Sequence, residues 1–179
     1  HPGATEIPGN GFDEDCDDNE LCFVDSDNDG YRTLATVLTT ARGCDTENLA
    51  SAAAPAGDCD DENPAVHPGA TELVGDGVDQ DCDSIEKCYV DADHDGYRTQ
   101  TEIDSNQTGC TGAGQALATS TTGDCNDSQS GIHPGADEIP GDGIDHNCDG
   151  VELCYQDLDG DGYRTLETMV SLGDVLCNG

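Results

Sequence analysis

Positive charge is what this chain has least of. Five Lys and Arg stand against 40 Asp and Glu in 179 residues, for a formal charge of −35 at pH 7. Phosphate backbones are held by clustered Lys and Arg, so nucleic acid is excluded as a partner, and an anionic membrane surface with it. Aromatic residues make up 4%, with no Trp and one Met. Leu, Ile, Val and Phe together supply fewer than one residue in six, below the roughly 20% under which a highly charged chain is expected to stay disordered. No apolar run approaches the length of a membrane helix. With 23 Gly and 7 Pro, and without helical periodicity, long helices are not expected. What is abundant is cysteine, 11 in all. Chains short of apolar core are commonly stapled by disulfides or metals, and cysteine at this density without paired CxxC knuckles indicates an oxidising, extracellular setting.

Self-similarity organises the rest. His1-Pro2-Gly3-Ala4-Thr5-Glu6 returns at His67 to Glu72 and, with one change, at His133 to Glu138, a period of 66 residues. The same offset relates Asp13-Glu14-Asp15-Cys16-Asp17 to Asp79-Gln80-Asp81-Cys82-Asp83 and to Asp145-His146-Asn147-Cys148-Asp149. It also relates the DxDxDGYRT segments that begin at Asp25, Asp91 and Asp157. The chain therefore divides into the end of a repeat at 1–20, full repeats at 21–86 and 87–152, and the start of another at 153–179. It opens on the second half of a unit and stops ahead of a further GDCDD segment, which reads as an excised part of a longer array. Leu21 to Val24 and Tyr31 to Thr40 have the β-branched and aromatic content of short strands. Leu49 to Gly57 and Thr111 to Gly123 vary most between copies and read as surface loops.

Asp25, Asp27 and Asp29, followed by Gly30 and the carbonyl of Tyr31, match the first half of an EF-hand loop, in which alternate carboxylates converge on one ion and Gly permits the sharp turn. Asp91, Asp93, Asp95 and Tyr97 repeat the pattern, as do Asp157, Asp159, Asp161 and Tyr163. Hard oxygen donors of this kind select calcium. The twelfth position, where an EF-hand carries its bidentate Glu, holds Thr36, Glu102 and Thr168, so a ligand must come from elsewhere, with Asp17 and Asp18 the nearest candidates. A second pool of acids comprises Asp58, Asp60, Asp61, Glu72, Asp79 and Asp81, flanked by Asp83. Its counterpart comprises Asp124, Asn126, Asp127, Glu138, Asp145 and Asn147, flanked by Asp149, and Asp13, Asp15 and Asp17 form the part of the pool in the first copy. A bridge from Cys59 to Cys82 would gather such a pool into a second calcium site, giving about two ions per repeat, each with the usual 6 to 8 oxygens.

Four cysteines per unit leave three connectivities open. The favoured scheme joins Cys22 to Cys44, Cys59 to Cys82, Cys88 to Cys110, Cys125 to Cys148 and Cys154 to Cys177, with Cys16 unpaired. The competing scheme joins Cys16 to Cys22 and Cys44 to Cys59. His1, His67 and His133 each precede Pro-Gly, without a second His or thiolate at ligand spacing, and read as turn residues. Arg32, Arg98 and Arg164 of the DGYRT segments are expected to pair with carboxylates. No nucleophile triad, phosphate loop or paired catalytic acids is discernible, so the reading is non-enzymatic. Asn106 and Asn126 open N-glycosylation sequons.

The combination DxDxDGY, GDCDD, HPGATE and DGxDxDC resembles the tandem MopE-type metal-binding motif of bacterial secreted proteins. The acidic loops are also similar to those of thrombospondin type 3 repeats and dockerins. The resemblance implies a cell-surface or extracellular setting and metal-dependent folding. Where the family often carries a cysteine after HPGATE this chain has Pro8-Gly9-Asn10, and Cys22 is read as its replacement, on which the favoured pairing partly rests. The fold class that follows is a set of small irregular, mainly β tandem repeats with short hairpins, calcium-stabilised and disulfide-stapled, forming an extended rod of about 66-residue units. The function expected is a calcium-binding structural repeat within a long surface fibre, its partners being neighbouring repeats or identical subunits. Copper sequestration and an acidic calcium reservoir are the alternatives.

Overall fold

A computed structural model describes residues 1–170 and Cys177. No helix forms among them, and none is long and apolar enough to cross a membrane. The chain instead repeats one small sheet. In the first copy β1 (Glu20–Val24) pairs antiparallel with β2 (Thr36–Thr39) on one side and β3 (Leu49–Ala50) on the other. In the second, β4 (Glu86–Val90) lies between β6 (Glu102–Ser105) and β7 (Gln115–Ala116) in the same way. The two-residue strands β5 (Tyr97–Arg98) and β8 (Thr121–Thr122) add a parallel pair, matched in the first copy by a single bridge between Arg32 and Ala56. In the third copy β9 (Leu153–Tyr155) pairs with β10 (Thr168–Val170).

The strands ahead of and behind the first acidic loop thus form as expected, with β2 confined to the β-branched stretch Thr36–Thr39. The segments read as loops differ from expectation. Leu49 to Gly57 contributes β3, and Thr111 to Gly123 contributes β7 and β8. Two residues carry too little pattern to announce a strand, but Ala50 and Ala116 are small enough to bury against β1 and β4, and both are 5% exposed.

Contacts divide the chain into two compact units, one of His1–Leu73 with Val78–Ile85, the other of Val74–Gly77 with Glu86–Gly179. Neither has a conventional apolar core. The buried apolar side chains are chiefly Cys22, Cys44, Cys88, Cys110 and Cys154, with Val66 and Ile132. Five disulfides form, Cys22–Cys44, Cys59–Cys82, Cys88–Cys110, Cys125–Cys148 and Cys154–Cys177, and Cys16 remains free and exposed. This is the favoured scheme. Each closes a loop of 22 or 23 residues, a constraint on the unfolded chain of about 3 kcal/mol per bridge in the loop-entropy account.

Gly9 and Gly75 lock the turn after HPGATE onto the sheet. Gly9 accepts a hydrogen bond from the Ala52 amide at 2.8 Å and donates one to Leu21 O at 2.7 Å, and Gly75 does the same with Ala118 and Lys87. A Cβ at Gly9 would lie 2.4 Å from the Ala52 nitrogen, and its φ of +69° disfavours any other residue.

Candidate metal centres

The first acidic loop closes on itself through its own carboxylates. The Asp29 amide donates to Asp27 Oδ1 at 3.1 Å and the Tyr31 amide to Asp29 Oδ1 at 2.7 Å. In the second copy the Gly96 amide donates to Asp91 Oδ2 at 3.2 Å, the Asp95 amide to Asp93 Oδ1 at 3.3 Å and the Tyr97 amide to Asp95 Oδ1 at 2.7 Å. In the third, Asp157 receives the Gly160 and Gly162 amides and Asp161 that of Tyr163. One oxygen of each of these Asp residues in the first two copies is thereby fixed. The others, Asp25 Oδ1, Asp27 Oδ2, Asp29 Oδ2, Asp91 Oδ1, Asp93 Oδ2 and Asp95 Oδ2, are buried without a hydrogen-bond partner.

The ligand missing from the twelfth position arrives from the GDC segments, not from Asp17 or Asp18. Asp93, Asp95 and Asp124 bring carboxylate oxygens within 4.8 Å of one another, as do Asp91, Asp93 and Asp127, and as do Asp25, Asp27 and Asp29. Asp58 Oδ2 and Asp124 Oδ2 are likewise buried and unpartnered. Asp61 anchors the first loop by accepting the Ser26 amide at 3.0 Å and its hydroxyl at 2.7 Å, and Asp127 accepts the Ala92 amide at 2.7 Å. Burial raises the pKa of Asp58 and Asp124. The amides of Asp60 and Asn126 oppose this, and the neighbouring loop carboxylates, among them Asp27 with Asp29 and Asp93 with Asp95, reinforce it. Asp27 is raised in the same way, again chiefly by burial. Asp18 instead pairs with Arg42 at 2.5 Å, an ion pair the charge pattern did not reveal.

The second pool is therefore divided. Asp58 and Asp61 turn toward the first loop, whereas Glu72, Asp79 and Asp81 form a separate cluster within 4.8 Å. Glu6, Asp13 and Asp15 form the same cluster in the first copy. Glu6 lies 66 residues before Glu72, so the period that exposed the other ligands also pointed to it. In each copy the glutamate spends one oxygen on a backbone amide, Asp15 N–H to Glu6 at 3.1 Å, Asp81 N–H to Glu72 at 3.0 Å and Asn147 N–H to Glu138 at 2.8 Å. The second oxygens of Glu6, Glu72 and Glu138 are buried and unpartnered. Asp17, Asp83 and Asp149 receive the amides of Asn19, Ile85 and Val151. Asp60 is exposed, and Asn126 Oδ1 is engaged by the Ser128 hydroxyl at 2.7 Å.

Arg32 and Arg98 do not pair with carboxylates as expected. Arg32 lies 3.7 Å above the Phe23 ring and donates to Ala54 O and Thr33 O, and Arg98 lies 3.7 Å above Tyr89 and donates to three carbonyls. Arg164 sits 4.1 Å above Tyr155. A planar guanidinium matches a ring face and a fan of carbonyls, and this satisfies it without drawing a carboxylate away from the clusters. His67 and His133 stack on Tyr31 and Tyr97 at 4.4 Å, at the turns where they were expected.

Orphaned, buried carboxylate oxygens converging from several segments fit a bound cation, since burying unpaired charge is otherwise costly. The donors in the clusters described are all oxygens, the set suited to a hard divalent ion. No curated protein and no solved structure matches the chain. Residues 1–20, 58–86 and 124–152 match the metal-binding motif of the Cu-binding MopE family. The two acidic clusters of each repeat lie in or against those stretches, and the chain is a tandem array carrying this family's metal-binding motif three times.

Proposed function

We propose that the repeats bind calcium and serve, outside the cell, as an ion-dependent structural array within a longer surface fibre, without catalysis. The observation that carries this reading is the set of buried, unpartnered oxygens of Asp25, Asp27, Asp29 and Asp58. They supply several anionic oxygens, and the Tyr31 carbonyl can add another, approaching the 6 to 8 that calcium takes. Five disulfides in a chain nearly free of apolar core accord with an oxidising compartment. Asn106, in the exposed turn after β6, is the better placed of the two sequons.

Copper takes imidazole or thiolate donors by preference. His67 and His133 are occupied in stacking, but His146 stands 4.0 Å from Glu138 and 3.6 Å from Asp142, which keeps copper as the second reading. Calorimetric titration of the ion-stripped chain with each metal separates the two. Calcium binding that raises protease resistance and the unfolding temperature, both lost on adding EGTA, supports the proposal. Tight copper binding with no response to calcium overturns it, as does a circular dichroism spectrum and proteolysis rate indifferent to chelation. Filaments in electron micrographs of the native material would support the fibre role, and dispersed single chains would remove it.

A further inference from the structure

Glu20 and Glu152 stand outside the clusters described above. Glu20 opens β1 and Glu152 immediately precedes β9, and neither exposes any surface. Neither oxygen of Glu20 has a hydrogen-bond partner. Glu152 accepts the Gly141 amide on Oε1 at 3.0 Å, and its Oε2 is buried and unpartnered. Wholly buried carboxylates without a cation are among the costliest features a fold can carry.

Their place in the sequence is regular. Asp13, Asp15, Asp17 and Glu20 read Asp-x-Asp-x-Asp-x-x-Glu, and Asp145, Asn147, Asp149 and Glu152 repeat it with one amide. The backbone of these segments follows that of the DxDxDG loops. The fourth and sixth positions have positive φ in both, at Asn28 and Gly30 in one and at Cys16 and Asp18 in the other. The third copy agrees, with Gly160 and Gly162 matched by Cys148 and Gly150. In both kinds of loop the amide of the seventh residue donates to the carboxylate of the fifth. The charges of Glu6, Glu14 and Asp13 act on Glu20, adding to the burial that raises its pKa, so the buried glutamate faces the cluster of Glu6, Asp13 and Asp15.

We infer that Glu20 and its counterpart Glu152 are the terminal carboxylate ligands of a second kind of hard-cation site, completed by Glu6, Asp13 and Asp15 in the first copy and by Glu138, Asp145 and Asn147 in the third. This rests on the ion-binding reading above. It makes the first residue of β1 an ion ligand, so that losing the ion leaves a bare charge two residues from the buried Cys22. The third copy has one carboxylate fewer, and its site fills at higher calcium concentration than the first.

The test uses the full oxidised chain and calcium alone, with bound ions counted by equilibrium dialysis and elemental analysis. Glu20→Gln and Glu152→Gln should each lose one ion at saturation. Terbium emission sensitised by Tyr31, Tyr97 and Tyr163, which report the DxDxDG loops, should stay unchanged. Disulfide mapping verifies folding, and if Glu20→Gln fails to form its bridges, Asp15→Asn takes its place with the same expected loss. Full stoichiometry and unaltered affinity in these variants overturn the inference while leaving the calcium reading intact. A parent chain that binds no calcium overturns both.

Discussion

The ring of Tyr31 lies on the imidazole of His67, centroids 4.4 Å apart and planes 11° from parallel. Tyr31 ends the first acidic loop and His67 begins the next HPGATE turn, so this contact joins the two halves of the repeating motif within one unit. Tyr97 and His133 reproduce it at 4.4 Å and 12°. His67→Ala should lower stability by about 1 kcal/mol, the ordinary worth of a stacked ring pair. His67→Phe should recover most of it, because the amide bond from residue 67 to Gln80 O belongs to the backbone. Thermal unfolding of both variants with calcium present checks this, and an Ala variant as stable as the parent would show the stack to be incidental.

Gly75→Ala should be among the most damaging single-methyl additions. Its Cβ would lie 2.5 Å from the Ala118 nitrogen and 3.1 Å from the Leu117 carbonyl carbon, at a φ of +72°. Gly69 has a φ of +84° but nothing within 4 Å of the same position. Gly69→Ala should therefore cost only the left-handed backbone penalty of about 1–2 kcal/mol. Gly75→Ala should exceed it clearly in denaturant unfolding, and equal losses would refute the role given to the close approach.

Acidity should act oppositely on the stripped and loaded forms. Burial raises the pKa of Glu20, Asp27, Asp58 and Asp124, with neighbouring carboxylates adding to it. Without metal each of these groups holds its proton more tightly folded than unfolded. Its contribution to stability is complete below the ordinary carboxylate pKa and is lost as pH rises through the raised value. The ion-stripped chain should thus unfold at a higher temperature in mild acid than at neutral pH. The calcium-loaded chain should show the reverse, since protons compete with the ion. Parallel trends in the two forms would contradict this assignment.

Much of this was legible because the period is long and the motifs are strong. Alternating Asp with Gly at the sixth position specifies the loop at Asp25 almost by itself, and the offset of 66 residues carries it to Asp91 and Asp157. The disulfide scheme followed the same bookkeeping. Long-range destinations were not legible. Asp58 and Glu72 lie in one acidic run, yet they turn to different clusters, because Asp58 is carried to the loop by the segment beside β3 while Glu72 is tied to the Asp81 amide. Net charge misled for Arg32. In a chain so acidic a carboxylate partner was the obvious expectation, but the Phe23 face and the carbonyls of Thr33 and Ala54 satisfy the guanidinium more completely. Glu20 escaped notice since a lone glutamate before an apolar strand looks like a solvated edge.

The placement of the disulfides decides how this chain yields to force. Each bridge spans 22 or 23 residues, and at roughly 3.5 Å per extended residue it withholds about 75 Å of contour that tension cannot reach while the bond is intact. The stretches left extensible between bridges include 45–58 and 111–124, the very segments that deliver Asp58 and Asp124 to the acidic loops. Pulling on the oxidised chain must draw those carboxylates away before any length is released. Dissolved calcium would then set the yield point, and thiol reduction would set the maximum extension.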